Sequence, residues 1–183
     1  MNRFCRNRIS IHISLALDPL NNYNISFINA VKKNDLLVEK EYIMGTKKQN
    51  ISFINAVKKG NLEKVKSLLE DGANINFEDE NVFTPLITAS HEGHQNLVEH
   101  LIKKGANINQ QTSAGVPLMA GIVGHHPEIV KYLIEKGADV NIEVECETPI
   151  SVAKQELENC DGDHKTLANI HLILSILYQN GEK

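Results

Sequence analysis

The sequence predicts an all-α protein, a solenoid of about four stacked helix-turn-helix units joined by short β-hairpin loops. Three observations lead there. A short phrase returns at a fixed step, as Gly72-Ala73-Asn74-Ile75-Asn76, Gly105-Ala106-Asn107-Ile108-Asn109 and Gly137-Ala138-Asp139-Val140-Asn141, spaced 33 and then 32 residues apart. A proline-led start keeps nearly the same step: Pro85-Leu86, Pro117-Leu118 and Pro149-Ile150 follow one another at 32 residues. Between these markers apolar residues recur at helical spacing, with Leu97, Val98, Leu101 and Ile102 on one face. A helix pair this short cannot bury its apolar face alone, so each unit needs neighbours on both sides.

The stretch from Asn81 to Asn109 shows each element most clearly. Thr84 can cap the orphan N–H groups of a helix, and Pro85 suits its first position because its φ is pre-set and it has no N–H to leave unpaired. Gly93-His94 breaks the run, Asn96 to Lys104 reads as a second helix, and Gly105 stands where a left-handed residue closes it. With the period near 33, this unit resembles the ankyrin repeat, whose T-P-L-H-x-A signature is nearly matched by Thr84-Pro85-Leu86-Ile87-Thr88-Ala89. The resemblance covers roughly Ile51 to Gly181 and implies an ankyrin-type α-solenoid.

Taken in order, residues 1–23 differ from the rest: Arg3, Arg6 and Arg8 are the only arginines. Ile9 to Leu20 is apolar but broken by His12 and Asp18, and no small-residue cleavage site follows, so a disordered leader is expected rather than a secretory signal. The ten residues NISFINAVKK then occur twice, at 24–33 and 50–59. The second copy continues into a helical stripe of Leu62, Val65, Leu68 and Leu69, while the first runs into acidic residues, so 24–49 reads as a degenerate duplicated half-repeat. Met44 precedes the intact copy and is a candidate start of the functional product. The repeat domain is expected over 50–181, in units of about 50–76, 77–109, 110–141 and 142–181.

Equivalent positions carry the packing. Ala56, Ala89 and Gly121 are small where first helices approach closely, and Phe53, Leu86, Leu118 and Ile150 are apolar plugs. Val65, Val98 and Val130, with Leu68, Leu101 and Leu133, line the second helices. Departures from the family are expected to show locally. The family has Gly two residues before the Thr of its signature, whereas Val82, Ala114 and Cys146 stand there, so looser or differently turned tips are expected. Gly121 lies inside the first helix of the third unit, so that helix, Val116 to Val123, is expected to be the least stable. The last unit carries a polar insertion from Glu158 to Thr166 before an apolar run from Leu167 to Tyr178.

Composition bounds the function. The 183 residues are 42% hydrophobic and lack Trp, which suits a core of Leu, Ile, Val and Ala. No run approaches the roughly 18 apolar residues of a membrane span. Residues 1–49 carry a net charge of +4 and residues 50–183 a net charge of −8, and an acidic repeat body argues against nucleic acid. Cys5, Cys146 and Cys160 lack paired spacing, so reduced thiols and a cytoplasmic location are expected, with export into a host cell left open.

No enzyme motif is present. His91-x-x-His94 with His100, or His125-His126 with Cys146 and Cys160, lack the short paired spacing of zinc ligands, and no cofactor is expected. The resemblance instead implies a monomeric, non-enzymatic scaffold that grips a protein partner on its concave surface. Carried onto this chain, that surface takes Asn55, Lys58 and Lys59, then Thr88, His91 and Glu92, then Ala120 and Val123. The loops add Phe77, Glu78, Asp79, Glu80 and Phe83, then Gln110, Gln111, Thr112 and Ser113, then Glu143, Glu145 and Glu147. Two of the three loops are acidic, which fits a partner with a basic surface. Two alternatives stand beside this reading: a metal- or cysteine-dependent enzyme built on His91, His125, His126, Cys146 and Cys160, and a decaying repeat-gene remnant.

Overall fold

The computed structural model describes residues 36–160 and 164–181, with side chains from residue 47 onward. The leader and the first copy of the ten-residue duplication lie outside the described residues. Eight helices are present among the described residues: α1 (Leu36–Lys58), α2 (Leu62–Glu70), α3 (Pro85–His91), α4 (Gln95–Lys103), α5 (Pro117–Val123), α6 (Pro127–Glu135), α7 (Pro149–Glu158) and α8 (His164–Gly181). They pair in sequence as four helix-turn-helix units. The first helices stack in the order α1, α3, α5, α7, and α6 packs against both α4 and α8.

The local chemistry explains the boundaries. Thr84 accepts the Ile87 N–H, Thr148 and Ser151 form a reciprocal capping box, and prolines occupy the first turn of α3, α5, α6 and α7. Gly72, Gly105 and Gly137 follow the second helices at φ 90, 91 and 97°, the left-handed closure expected at each. Gly181 does not do this: it is the last helical residue of α8. The fourth-unit helix also begins earlier than the apolar run, taking in His164, Lys165 and Thr166. At the other end, α1 runs unbroken through residue 50, so the second NISFINAVKK is the end of a longer helix.

Repetition builds one continuous core. Phe53, Leu86 and Leu118 are at most 1% exposed, and Ile150 packs against the same cluster, so the plugs form a single ladder. Val65, Val98 and Val130 are fully buried, alongside Leu68, Leu101 and Leu133. Ala56 and Ala89 are buried with them, and a Cβ on Gly121 would lie 3.4 Å from methyl groups of Ile129 and Val130. Glycine here leaves α5 close to α6, and six of the seven residues of α5 are buried. Truncating a buried leucine in such a core costs about 2–5 kcal/mol.

A second ladder is polar. The Asn50 carboxamide oxygen accepts from the Asn74 N–H (3.0 Å), Asn76 from the Asn107 N–H (2.9 Å) and Asn109 from the Asp139 N–H (3.0 Å). The Gly-Ala-Asn phrase is therefore a set of rungs that fix one unit to the next. Histidines add a third link. His94 Nε2 bonds Lys58 O at 3.2 Å, and His126 Nε2 bonds His91 O at 3.1 Å. Each imidazole thus satisfies an orphan carbonyl at the end of the preceding unit's first helix.

Two of the three loops keep the backbone turn of a glycine-led hairpin without the glycine, against the expectation of looser or differently turned tips, and only the middle one shifts it. Val82 holds φ 61° and Cys146 holds φ 68°, so both keep the left-handed conformation despite their side chains. In the middle loop the positive φ moves one residue on, to Gly115 at 99°. The β-hairpin loops amount to isolated bridges at Thr112–Gly115 and Val144–Glu147, with no extended strand among the described residues. His125 likewise takes φ 58°, the role of Gly60 and Gly93, while Gly124 stays helical.

Candidate partner-binding face

Two grooves lie along the side formed by the loops and the first helices. The first, about 400 Å³, is lined by Lys47, Ile51, Ile54, Asn55, Lys58 and the loop from Phe77 to Asn81. The second, about 300 Å³, has Met119, Ala120, Val123 and Val152 from α5 and α7, with Phe83, His91, Ser113 to Gly115, Val144, Glu145 and Glu147 around them. The expected surface is thereby divided. Asn55, Lys58, Phe77, Glu78, Asp79 and Glu80 share one groove, while Phe83, His91 and Glu145 share the other.

Several expected residues line neither groove. Lys59, Glu92, Gln111 and Glu143 are exposed beside them, and Gln110 is half-buried. Thr88 and Thr112 are buried, at 4% and 9% exposure, which corrects their assignment to an accessible surface. Ala120 is also buried, at 7%, and contributes only floor. Thr112 instead organises its own loop: its hydroxyl donates to Gly115 O and accepts from the Ala114 N–H. Thr88 sits mid-helix in α3, and its hydroxyl has no hydrogen-bond partner among the described residues.

Charge is distributed unevenly between the loops. In the first, Asp79 accepts the N–H groups of Asn81 and Phe83, each at 2.9 Å, and faces Lys58 Nζ at 3.4 Å. Its carboxylate shapes the turn rather than standing free. Glu80 meets Lys47 at 3.4 Å, and Glu78 accepts from Gln110 Nε2 at 2.8 Å. Exposed pairs such as Lys47–Glu80 are worth about 0–1 kcal/mol, but the two lysines leave Glu78, held by a neutral amide, as the one acidic side chain of that loop without a cation opposite it among the described residues. In the third loop, Glu143, Glu145 and Glu147 have no cationic partner among the described residues.

The histidines serve the scaffold. His126 has its pKa lowered, chiefly by burial, although its bond to His91 O opposes the shift. His125 pairs with Glu156 at 2.8 Å, tying the third unit to α7, and Asn169 donates to His125 O at 3.0 Å. His91 faces Glu92 at 3.4 Å. Among the described residues, no three of His, Cys, Asp and Glu gather where they could hold a metal ion. No described helix is long and apolar enough to cross a membrane.

Sequence reasoning missed the apolar floor of the second groove, Met119, Val144 and Val152. The helical period of Met119 and Val152 reads equally well as core, so only the packing separates the two roles. The engagement of Asp79 with its own loop had a signal: an Asp side chain in a turn readily accepts the backbone N–H two residues on.

Comparison with known proteins agrees with this architecture. A family model described as ankyrin repeats, in three copies, matches residues 27–144. Over 54 residues the chain is 41% identical to the "Ankyrin repeat and KH domain-containing protein mask" of Drosophila melanogaster, a match spanning 30% of this chain and 1% of that protein. With most of its length covered by the family model and its helix pairs stacked as that repeat requires, the chain belongs to the ankyrin-repeat family.

Proposed function

We propose that this chain is a non-enzymatic scaffold that binds a protein partner through the concave side, between the loops and the first helices. Ankyrin repeats in general are protein–protein interaction modules, which gives the reading its starting point. The observation that carries it is the second groove: an apolar floor with Val123 40% exposed at its edge, flanked by two carboxylates without cationic partners among the described residues. A groove with an apolar floor and a few polar groups at its edge is the usual anatomy of a binding site. A basic partner surface complements the acidic loops, which would chiefly set association rate and its salt dependence.

Site-specific photo-crosslinking tests this. A photoreactive residue replacing Val123 is expected to give a discrete protein adduct in lysate, and the same residue replacing Lys131, exposed on α6, is expected to give none. Adducts formed equally at both positions, or at Lys131 alone, would refute the assignment.

A further inference from the structure

We propose that specificity resides in the groove between the second and third loops, and that this groove takes a linear protein segment with one aliphatic side chain flanked by lysine or arginine. The proposal rests on the concave-face reading and narrows it to one end of that face. Acidic residues flank both grooves, but only at the second are all of them free of cationic partners among the described residues. Asp79 is committed to backbone N–H groups and to Lys58, Glu80 to Lys47, and Glu78 to Gln110. Glu145 and Glu147 line the second groove with no cation opposite them among the described residues. An approaching lysine or arginine therefore displaces no existing ion pair there, whereas at the first loop it must compete with Lys58 and Lys47. An acidic segment would meet two like charges.

The floor fixes the other half of the chemistry. Met119 and Ala120 are buried at 6% and 7% exposure, while Val123 beside them is 40% exposed. The groove, about 300 Å³, is at the small end of the roughly 300–1,000 Å³ range of ligand sites, so it suits a side chain rather than a whole helix. Met119 adds an adaptable thioether wall that accommodates branched aliphatic groups. The positive φ values of Glu145 and Cys146 (52 and 68°) close the third loop into a tight two-residue turn, which holds the carboxylates of Glu145 and Glu147 at the groove edge.

The experiment is a selection of random linear peptides displayed on phage against the full chain, followed by titration of a fluorescein-labelled enriched peptide. The expected consensus is an aliphatic residue between lysines or arginines. Glu145→Lys with Glu147→Lys is expected to weaken binding at least about tenfold, Glu145→Gln with Glu147→Gln by a smaller factor, and Glu78→Lys with Glu80→Lys by clearly less than the third-loop reversal. All these positions are exposed, and circular dichroism melts verify that each variant is folded. An acidic or featureless consensus overturns the proposal, as does a failure to enrich any peptide. If binding responds to the first-loop pair and not to the third-loop pair, this proposal falls while the concave-face reading stands. If only Lys131→Glu removes binding, both fall.

Discussion

Alanine substitution along the asparagine ladder should destabilise the protein in a graded way that follows the bonds each side chain makes between units. Asn109 makes two: its oxygen accepts from the Asp139 N–H at 3.0 Å, and its amide donates to Gly137 O at 3.1 Å. Asn76 makes one, from the Asn107 N–H at 2.9 Å. The Asn141 side chain makes none among the described residues, where only its backbone N–H is bonded, to Asp139. A typical intramolecular hydrogen bond contributes about 0.5–1.5 kcal/mol net. Asn109→Ala should therefore cost about 2 kcal/mol and Asn76→Ala about 1 kcal/mol, with Asn141→Ala within about 0.5 kcal/mol of the parent. At this chain length each kcal/mol moves the midpoint temperature by roughly 2–4 °C. Urea unfolding followed by circular dichroism, with the slope m compared between variants, reads the series directly. Equal losses at all three positions, or a loss at Asn141 matching that at Asn109, would show that these residues act through loop propensity and not as rungs.

Three further outcomes are expected. Val82→Asn should raise stability by about 1 kcal/mol, because a β-branched residue at φ 61° bears roughly 1–2 kcal/mol of strain that asparagine largely avoids; an unchanged urea midpoint would argue against strain there. Gly121→Ala should stabilise by up to about 1 kcal/mol through helix propensity, since the added methyl would meet Ile129 and Val130 at 3.4 Å, the near edge of ordinary contact; a net loss of stability would mean the α5–α6 approach cannot tolerate a methyl group. The pKa values of His126 and His100 are both lowered, chiefly by burial, with Lys104 and Lys66 adding to the effect at His100. The unfolded chain then takes up protons first, so stability is fully present above the unfolded histidine value, about 6.5, and declines as pH falls through the lower folded values. His126→Gln with His100→Gln should flatten that acid-side decline, and a slope unchanged from the parent between pH 7 and 5 would locate the protons elsewhere.

The unit register was legible in the sequence because a repeated unit writes the same constraint several times. Gly105 with its neighbours Ala106 and Asn107, or Pro85 with Leu86, would carry little weight singly, but their returns fix both the helix starts and the core ladder. Contacts between units were far less legible. That His94 reaches Lys58 O, or that Gln110 reaches Glu78, depends on the offset between stacked units, which the spacing along the chain does not encode. The same gap explains the site residues. Thr88 looked accessible by alignment, yet the stacking of α1, α3 and α5 buries it, while Asp79 looked free although its own loop absorbs its charge. The extent of α1 was hidden for a simpler reason: the duplication drew a boundary at residue 50 that the helix ignores.

The imidazole links have a consequence for how such a chain can be cut and rejoined. A Cβ on Gly60 would stand 2.8 Å from the His94 ring, and one on Gly93 would stand 2.4 Å from the His126 ring. Each histidine is therefore matched to a glycine that belongs to the previous unit, and neither half of the match functions if the other is replaced. Grafts, deletions and insertions across these two junctions should be accepted only when the glycine keeps a histidine-bearing successor, whereas the third junction, with His125 in the turn and Asn169 on its carbonyl, uses a different link. What evolution or an engineer can exchange freely is the junction between two units, not the unit itself.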